Sequence, residues 1–267
     1  MTYTKKQVLV VAKTYPNLSR KYDRTVCTAG IDLQSKSWIR IFPIRFFDLE
    51  YAKRFSKWDV IELEVEPTKD KYLRKESHHA HDSSIQKLRH IDTKNNWEER
   101  KNIIIPMQKK SVEDLKNQYK LDHTSMGVIK PKLIVDFKVT PIDKCRPWEK
   151  ALIMGIQQTL DGEHYQSPLE KIPYKFSYVF KCDDSDCTKN HDLMIEDWEI
   201  CELYRKTKQD TKDEQYALAQ VSEKYKDRFL TKNELYFVLG TESRWNKWLI
   251  ISVFYPMKQP QTCLSLN

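Results

Sequence analysis

Residues 7 to 15 read QVLVVAKTY, an unbroken apolar, β-branched run that ends on a cation and an aromatic ring. Two further runs come next, TVCTAGIDL at 25–33 and SWIRIFPI at 37–44, with QSKS between them as a hairpin turn. At 58–67, WDVIELEVEP alternates Val60, Ile61, Leu63 and Val65 with Glu62, Glu64 and Glu66. Alternation of this kind predicts a strand with one wet face. FFDLEYAKRFSK, at 46–57, predicts a short helix before that strand.

From about 68 to 120 the pattern fades into charge, which predicts an inserted, polar, partly helical excursion. A bare loop of that length is uncommon in a compact domain. SIQKLRHI and SVEDLKNQY are read as its short helices, the second opened by a serine N-cap. KPKLIVDFKVTPI at 130–142 restores a strand, and PWEKALIMGIQQTLDG at 147–162 predicts a helix, with Pro147 near its start and Gly162 past its end. The last third gives KFSYVFKC as a strand and HDLMIEDWEICELYRK as one or two more. A helix is predicted over 213–230, with Tyr216, Ala219, Val221, Tyr225 and Phe229 inward. ELYFVLGT and KWLIISVFYP close the chain as strands.

Strand, strand, helix, strand, strand is close to the order of an OB barrel. The first quarter supplies strands for a similar barrel, closed by 130–142. The predicted fold is therefore mainly β with helical insertions, as two OB-like small barrels. The expected division is 1–145 for the first barrel with its insertion, and 146–267 for a helix plus the second barrel. A doubly wound parallel sheet is excluded by the lack of strict strand–helix alternation.

Composition then narrows the function. The chain of 267 residues carries a formal net charge of +8, with 14 Tyr and 7 Trp. Cations meet phosphates and aromatic faces stack on bases, so a nucleic-acid partner enters the picture. Only 5 glycines are present, and neither GxGxxG nor GxxxxGK[ST] occurs, which removes Gly-rich nucleotide loops. No apolar stretch approaches a membrane span. Met1 is followed by TYTKKQ, so no secretory leader and a cytoplasmic location are expected.

The segment VAKTYPNLSRKYDRTVCTAGI, followed by WIRIFPI, resembles the opening of a bacterial and phage family of dual OB-containing domains of unassigned function. KFSYVFKCDDSDCTKNHDLMIEDWE and the closing FVLGT and WLIISVFYP are similar to that family's second half. The resemblance implies two OB-like barrels, nucleic-acid binding, and association with prokaryotic conflict systems.

Candidate chemistry lies in five places. In the opening loop, Lys13, Arg20, Lys21 and Arg24 surround Tyr15 and Tyr22, and Arg40 and Arg45 flank IFPI. The cations are set for phosphates and the tyrosines for stacking; the plain alternative is a charged hairpin with packed tyrosines. CDDSDCTKNH places Cys182, Cys187 and His191 at C-x4-C-x3-H spacing, three donors for a structural zinc. Cys201 is the expected fourth, with Asp183 or Asp186 behind it; a polar loop with free thiols is the alternative. HHAHD (His78, His79, His81, Asp82) reads as an exposed polar loop, since neighbours on a strand face opposite ways. Asp136 and Lys138 form a D-x-K pair on one strand face, the fragment a metal-dependent nuclease needs, without a defined upstream acid. EDWE (196–199) rings Trp198 with acids. The expectation is a non-catalytic nucleic-acid-binding protein, an accessory module of a defence or nucleic-acid-processing system. A metal-dependent nuclease or zinc hydrolase, and a protein-interaction module of a defence complex, stand as the alternatives.

Overall fold

The computed structural model describes residues 3–19, 23–68, 74–142, 171–242 and 247–259, and of residues 17–19, 23 and 24 only the backbone. The helix expected at 147–162 lies outside the described residues.

The three apolar runs of the first quarter become β1 (Thr4–Lys13), β3 (Asp23–Asp32) and β4 (Ser37–Ile44), with a short β2 (Asn17–Ser19) hairpinned onto β3. Then come β5 (Asp59–Pro67) and β6 (Ser77–Ala80). Strand β1 pairs with both β3 and β5, β4 runs parallel to β6, and β6 pairs with β5. The circuit β1-β3-β4-β6-β5-β1 is a closed barrel of five strands. Gly30 faces Val10 in this wall; a Cβ there would stand 2.6 Å from the Leu9 carbonyl oxygen and 2.3 Å from Val8 Cγ1. The two strands approach each other only because the side chain is missing.

Three expectations fail in this half. FFDLEYAKRFSK is not one helix but two single 3-10 turns, Phe46–Asp48 and Tyr51–Lys53. SIQKLRHI is strand β7 (Gln86–His90), paired with β5; its residues are all exposed, so pairing to an available edge outweighs local helix preference. HHAHD is no loop, because its first half supplies β6, the strand that closes the barrel. Helix α1 (Lys94–Ile104) comes next, then β8 (Gln108–Lys109) and α2 (Val112–Asp122). The serine cap is where SVEDLKNQY predicts it: Ser111 Oγ accepts from the Asp114 amide at 3.1 Å.

The second half is built on β9 (Met126–Ile129), β10 (Pro131–Pro141), β11 (Tyr174–Cys182), β12 (His191–Met194), β13 (Tyr236–Thr241) and β14 (Trp248–Phe254). Strand β10 does not close the first barrel: it pairs along its length with β11. It is therefore part of the second half, and the division expected at 145 is displaced toward the N-terminus. The order β10-β11-β12 continues through a parallel bridge, Ile195 to Ile250, into β14-β13-β9, and β9 runs into β10 through Lys130. Numbered within each half, both circuits have the order 1-2-3-5-4-1, with strands 3 and 5 parallel.

Between β12 and β13 lie the helices α3 (Trp198–Thr211) and α4 (Glu214–Ser222), a six-residue π-helical turn (Glu223–Arg228), and α5 (Phe229–Lys232). The sequence reading of 191–206 as strands holds only to Met194. From Asp197, which caps α3 through its carboxylate, Ile200, Cys201 and Tyr204 are buried at helical spacing. On the next helix the inward positions are Ala217, Val221, Tyr225 and Phe229, whereas Tyr216 is 48% exposed and Ala219 exposed. No described helix is long and apolar enough to cross a membrane.

The continuous apolar runs have a packing cause. On β1, Val8 and Val10 point into the first barrel, while Leu9 and Val11 point out of it. On β13, Phe237 and Leu239 point into the second barrel, and Tyr236 and Val238 point out. The outward sets meet in a third core with Ile31, Trp58, Val60, Met126, Val128, Leu249, Ile251 and Phe254. These strands are apolar on both faces because both are covered, and each fully buried side chain contributes about 1.5–3 kcal/mol. The outer wall of the first barrel therefore packs against β9, β13 and β14.

Candidate functional site

The first barrel sorts the opening-loop residues by where its walls put them. Lys13 ends β1 on the inside: its Nζ lies 4.0 Å from the ring centres of both Phe46 and Trp198 and donates to the Phe55 carbonyl at 3.1 Å. Burial lowers its pKa to about 8, against the pull of Glu202, Asp59 and other carboxylates. Arg40 is also buried: it donates to Ser125 Oγ at 3.0 Å, and Ser125 in turn bonds to Glu76. Both expectations of a phosphate contact are corrected, since each cationic head is committed inside the fold. Tyr15 is half-buried, its ring edge-on to Trp198 at 6.0 Å. Arg45 does stand at the surface, 62% exposed, within 3.6 Å of Asp82 and 4.0 Å of Asp48. Arg20, Lys21 and Tyr22 lie outside the described residues, as does the side chain of Arg24.

Topology adds a segment that the sequence reading passed over. Numbering the barrel strands in chain order, residues 14–22 connect strands 1 and 2, and residues 68–76 connect strands 4 and 5. The second connection, TKDKYLRKE, carries Lys69, Lys71, Arg74 and Lys75 around Tyr72. It repeats the cation–tyrosine composition of NLSRKYDR. Only the strand order reveals that these two stretches, some fifty residues apart, are the 1–2 and 4–5 connections of one barrel.

The second half assembles a different group. Cys182 ends β11, His191 opens β12, and Cys187 lies in the turn between them. Helix α2 brings Glu113 from its first turn. The four donor atoms all lie within 4.8 Å of one another. Cys187 Sγ is 3.0 Å from both Glu113 Oε2 and His191 Nε2, and His191 Nε2 is 3.3 Å from Glu113 Oε2. The Val112 amide points at Cys182 Sγ at 3.4 Å. Burial, and then Glu113, push the Cys187 thiol up to about 12, and burial raises Cys182 and lowers His191. A tetrahedral zinc with two sulfurs, one nitrogen and one oxygen has edges of about 3.4–3.8 Å, and the group is compact enough to close on one.

The fourth donor is Glu113, not Cys201, which is buried in α3 between Ile200 and the rest of the second core. Asp183 pairs instead with Lys132 at 3.2 Å. Glu113 precedes the first cysteine by 69 residues, and nothing in the spacing announces it. Elsewhere, the His78, His79 and His81 rings go to separate partners: the carbonyls of Glu76 and Phe42, and the Glu64 carboxylate. Lys138 pairs with Asp192 at 2.9 Å, and Asp136 gathers no second and third metal-ligating side chain among the described residues.

Two strand circuits of one order, the second carrying a compact Cys–Cys–His–Glu group beside a helix, define a mainly β chain with a closed five-stranded barrel. The chain belongs to the family described as Domain of unknown function (DUF8757), whose model matches residues 108–267. A second model, Domain of unknown function (DUF8758), matches residues 4–106. The change from one match to the other falls where strand pairing passes from the first sheet to β8 and β9. No curated protein matches. Among solved structures, the crystal structure of the tetrameric p202 HIN2 is similar at 12% identity and a TM-score of 0.30, over 97% of this chain and 96% of that one.

Proposed function

We propose that the chain is a non-catalytic nucleic-acid-binding protein of two OB-type barrels. One observation carries this: the strand order makes NLSRKYDR and TKDKYLRKE the 1–2 and 4–5 connections of a single barrel. In OB barrels those connections and the face of strands 2 and 3 hold oligonucleotides or oligosaccharides. The step from barrel to ligand is an analogy of fold, and charge selects between the two ligands. A net charge of +8, with cations gathered in both connections, favours the phosphate-bearing one. Arg20, Lys21, Arg24, Arg74 and Lys75 take the phosphates, with Arg45 beside them, and Tyr22 and Tyr72 stack on bases. An accessory role in a prokaryotic defence or nucleic-acid-processing system, with protein partners there, rests on the resemblance of the opening segment.

Fluorescence anisotropy of labelled single- and double-stranded DNA and RNA across a salt series tests the reading. Binding that weakens with salt, without shortening of the probe in magnesium, supports it. Absence of binding near physiological salt sinks it and turns attention to a protein partner.

The compact donor group supports a second statement: Glu113, Cys182, Cys187 and His191 hold a structural zinc. Four protein donors leave no open position, which suits a staple rather than a catalyst. Metal analysis of the purified chain tests it, with Co²⁺ substitution as a check. One zinc per chain and a thiolate-to-cobalt absorption band, both lost in Cys187→Ser, are expected; a metal-free, fully folded chain rules it out.

A further inference from the structure

The junction between the barrels holds a cluster that the proposed phosphate face does not use. Trp58 and Trp97 both have left-handed backbones, φ 73° and 63°, and Asn95 and Asn96 before Trp97 share that conformation. Such a conformation costs roughly 1–2 kcal/mol for each residue with a side chain. The fold maintains it: the Asn96 amide donates to the Met257 carbonyl, and its oxygen accepts from the Met257 amide, both at 2.8 Å. What the strain delivers is position. Trp58 and Trp97 flank the Arg100 guanidinium at 4.6 and 4.7 Å, and Trp97 meets Tyr255 edge-on at 4.8 Å. Strain kept by surrounding structure clusters at ligand sites.

A second irregularity faces the first. The π-helical turn Glu223–Arg228 displaces Lys224 and Tyr225 from regular helical positions, and such turns gather at functional sites. Lys224 Nζ lies 6.0 Å from the Tyr255 ring, and no ion-pair partner for it stands among the described residues. The Tyr225 hydroxyl, fully buried, has no hydrogen-bond partner among them either. It lies within electrostatic reach of Asp197, Glu199 and Tyr255. Glu199 lies within electrostatic reach of Lys224, Tyr225 and Tyr255; its side chain is 35% exposed, with the buried Oε2 on Lys57 at 3.0 Å and the other oxygen left to accept. Trp97, Tyr255 and Lys224 are half-buried, so the cluster reaches the surface.

We infer that this junction binds a nucleotide, with its base against Trp97 and Tyr255 and its N–H-bearing edge on the Glu199 carboxylate. Aromatic edges and faces take a planar ring, and an ionised carboxylate takes adjacent N–H donors, the pattern guanine offers. Lys57, Arg100 and Lys224 outnumber Asp197 and Glu199, which leaves one positive charge for a phosphate. Lys224, without an ion-pair partner among the described residues and 6.0 Å from the Tyr255 ring, is placed to meet it. The site lies apart from the connections of the first barrel and does not depend on them.

Isothermal titration calorimetry of the full chain with GMP, with UMP, and with a pentanucleotide holding one guanine among thymines tests this. GMP is expected to bind better than UMP. Glu199→Gln is expected to weaken GMP at least tenfold, and Lys224→Ala about fivefold, each measured well below the variant's own melting temperature, because Glu199→Gln also takes a charge from the buried Lys57. Guanine- and Glu199-dependent binding of the pentanucleotide alone assigns the base to a strand rather than to a free nucleotide, and supports the site equally. Equal GMP and UMP binding, wild-type binding by both variants, or no heat with any probe overturns the inference. Anisotropy of a thymine-only strand on Glu199→Gln keeps the two readings separate, because the first-barrel face should bind it unchanged.

Discussion

Lys57 Nζ lies 2.9 Å from Asp197 Oδ2, an ion pair between residues 140 apart in sequence that ties the first barrel to the second half. Both side chains are almost fully buried. Asp197 also caps α3 and accepts from the Val253 amide at 3.1 Å. Burial alone would lower the Lys57 pKa; Asp197 and Glu199 outweigh it and hold the amine charged. Breaking such a pair by removing one partner strands the other charge. Lys57→Ala should therefore lose about 3–5 kcal/mol in urea denaturation. The double variant Lys57→Met, Asp197→Leu should recover part of that loss, less the cap.

Glu196 makes stability depend on pH. Burial, with Glu242 adding, lifts its carboxyl to about 7 from 4.5. The unfolded chain then releases this proton first, so stability falls as pH rises between about 4.5 and 7, by up to the order of 3 kcal/mol. Glu196→Gln should remove that part of the slope. Denaturation midpoints of both chains at pH 5 and pH 8 measure it; parallel profiles would refute the assignment.

The buried and surface cations should separate in binding. Lys13→Met leaves nucleic-acid affinity unchanged, because the amine sits between Phe46 and Trp198. The double variant Arg20→Ala, Lys21→Ala lowers the slope of log K against log salt by about 1.4–1.8, at 0.7–0.9 per phosphate contact. A salt series on the three chains makes the comparison.

Removing the metal should loosen α2 from the β11–β12 hairpin. With a strong chelator the melting temperature should fall by about 5 °C or more, as a loss of a few kcal/mol gives in a chain of this size. Glu113→Gln should start lower and respond less. A chelator-insensitive wild-type melt would remove the staple.

The strands were legible because runs such as VLVVA and alternations such as IELEVE state their own period. The order of strands in the last third was legible too. What escaped was decided by partners distant in sequence. QKLRH carries no strand period and is a strand only because an edge of β5 was open to it. EDWEICELYRK reads as strand until Asp197 caps it. At the candidate donor group, the local spacing marks Cys182, Cys187 and His191, whereas Glu113 arrives from a separate helix. Lys13 and Arg40 looked like surface cations because sequence shows charge and not the ring faces or hydroxyls that surround it.

The pairing of Lys57 with Asp197 also sets a schedule for synthesis. Asp197 is made 140 residues after Lys57. At roughly 5–20 residues per second, the nascent chain spends on the order of ten seconds with that amine lacking its anion. Leu9 and Val11 wait longer for the strand at Trp248–Phe254 that covers them. The first barrel thus leaves the ribosome with an apolar flank open, and it is the late strand Trp248–Phe254 that shuts it.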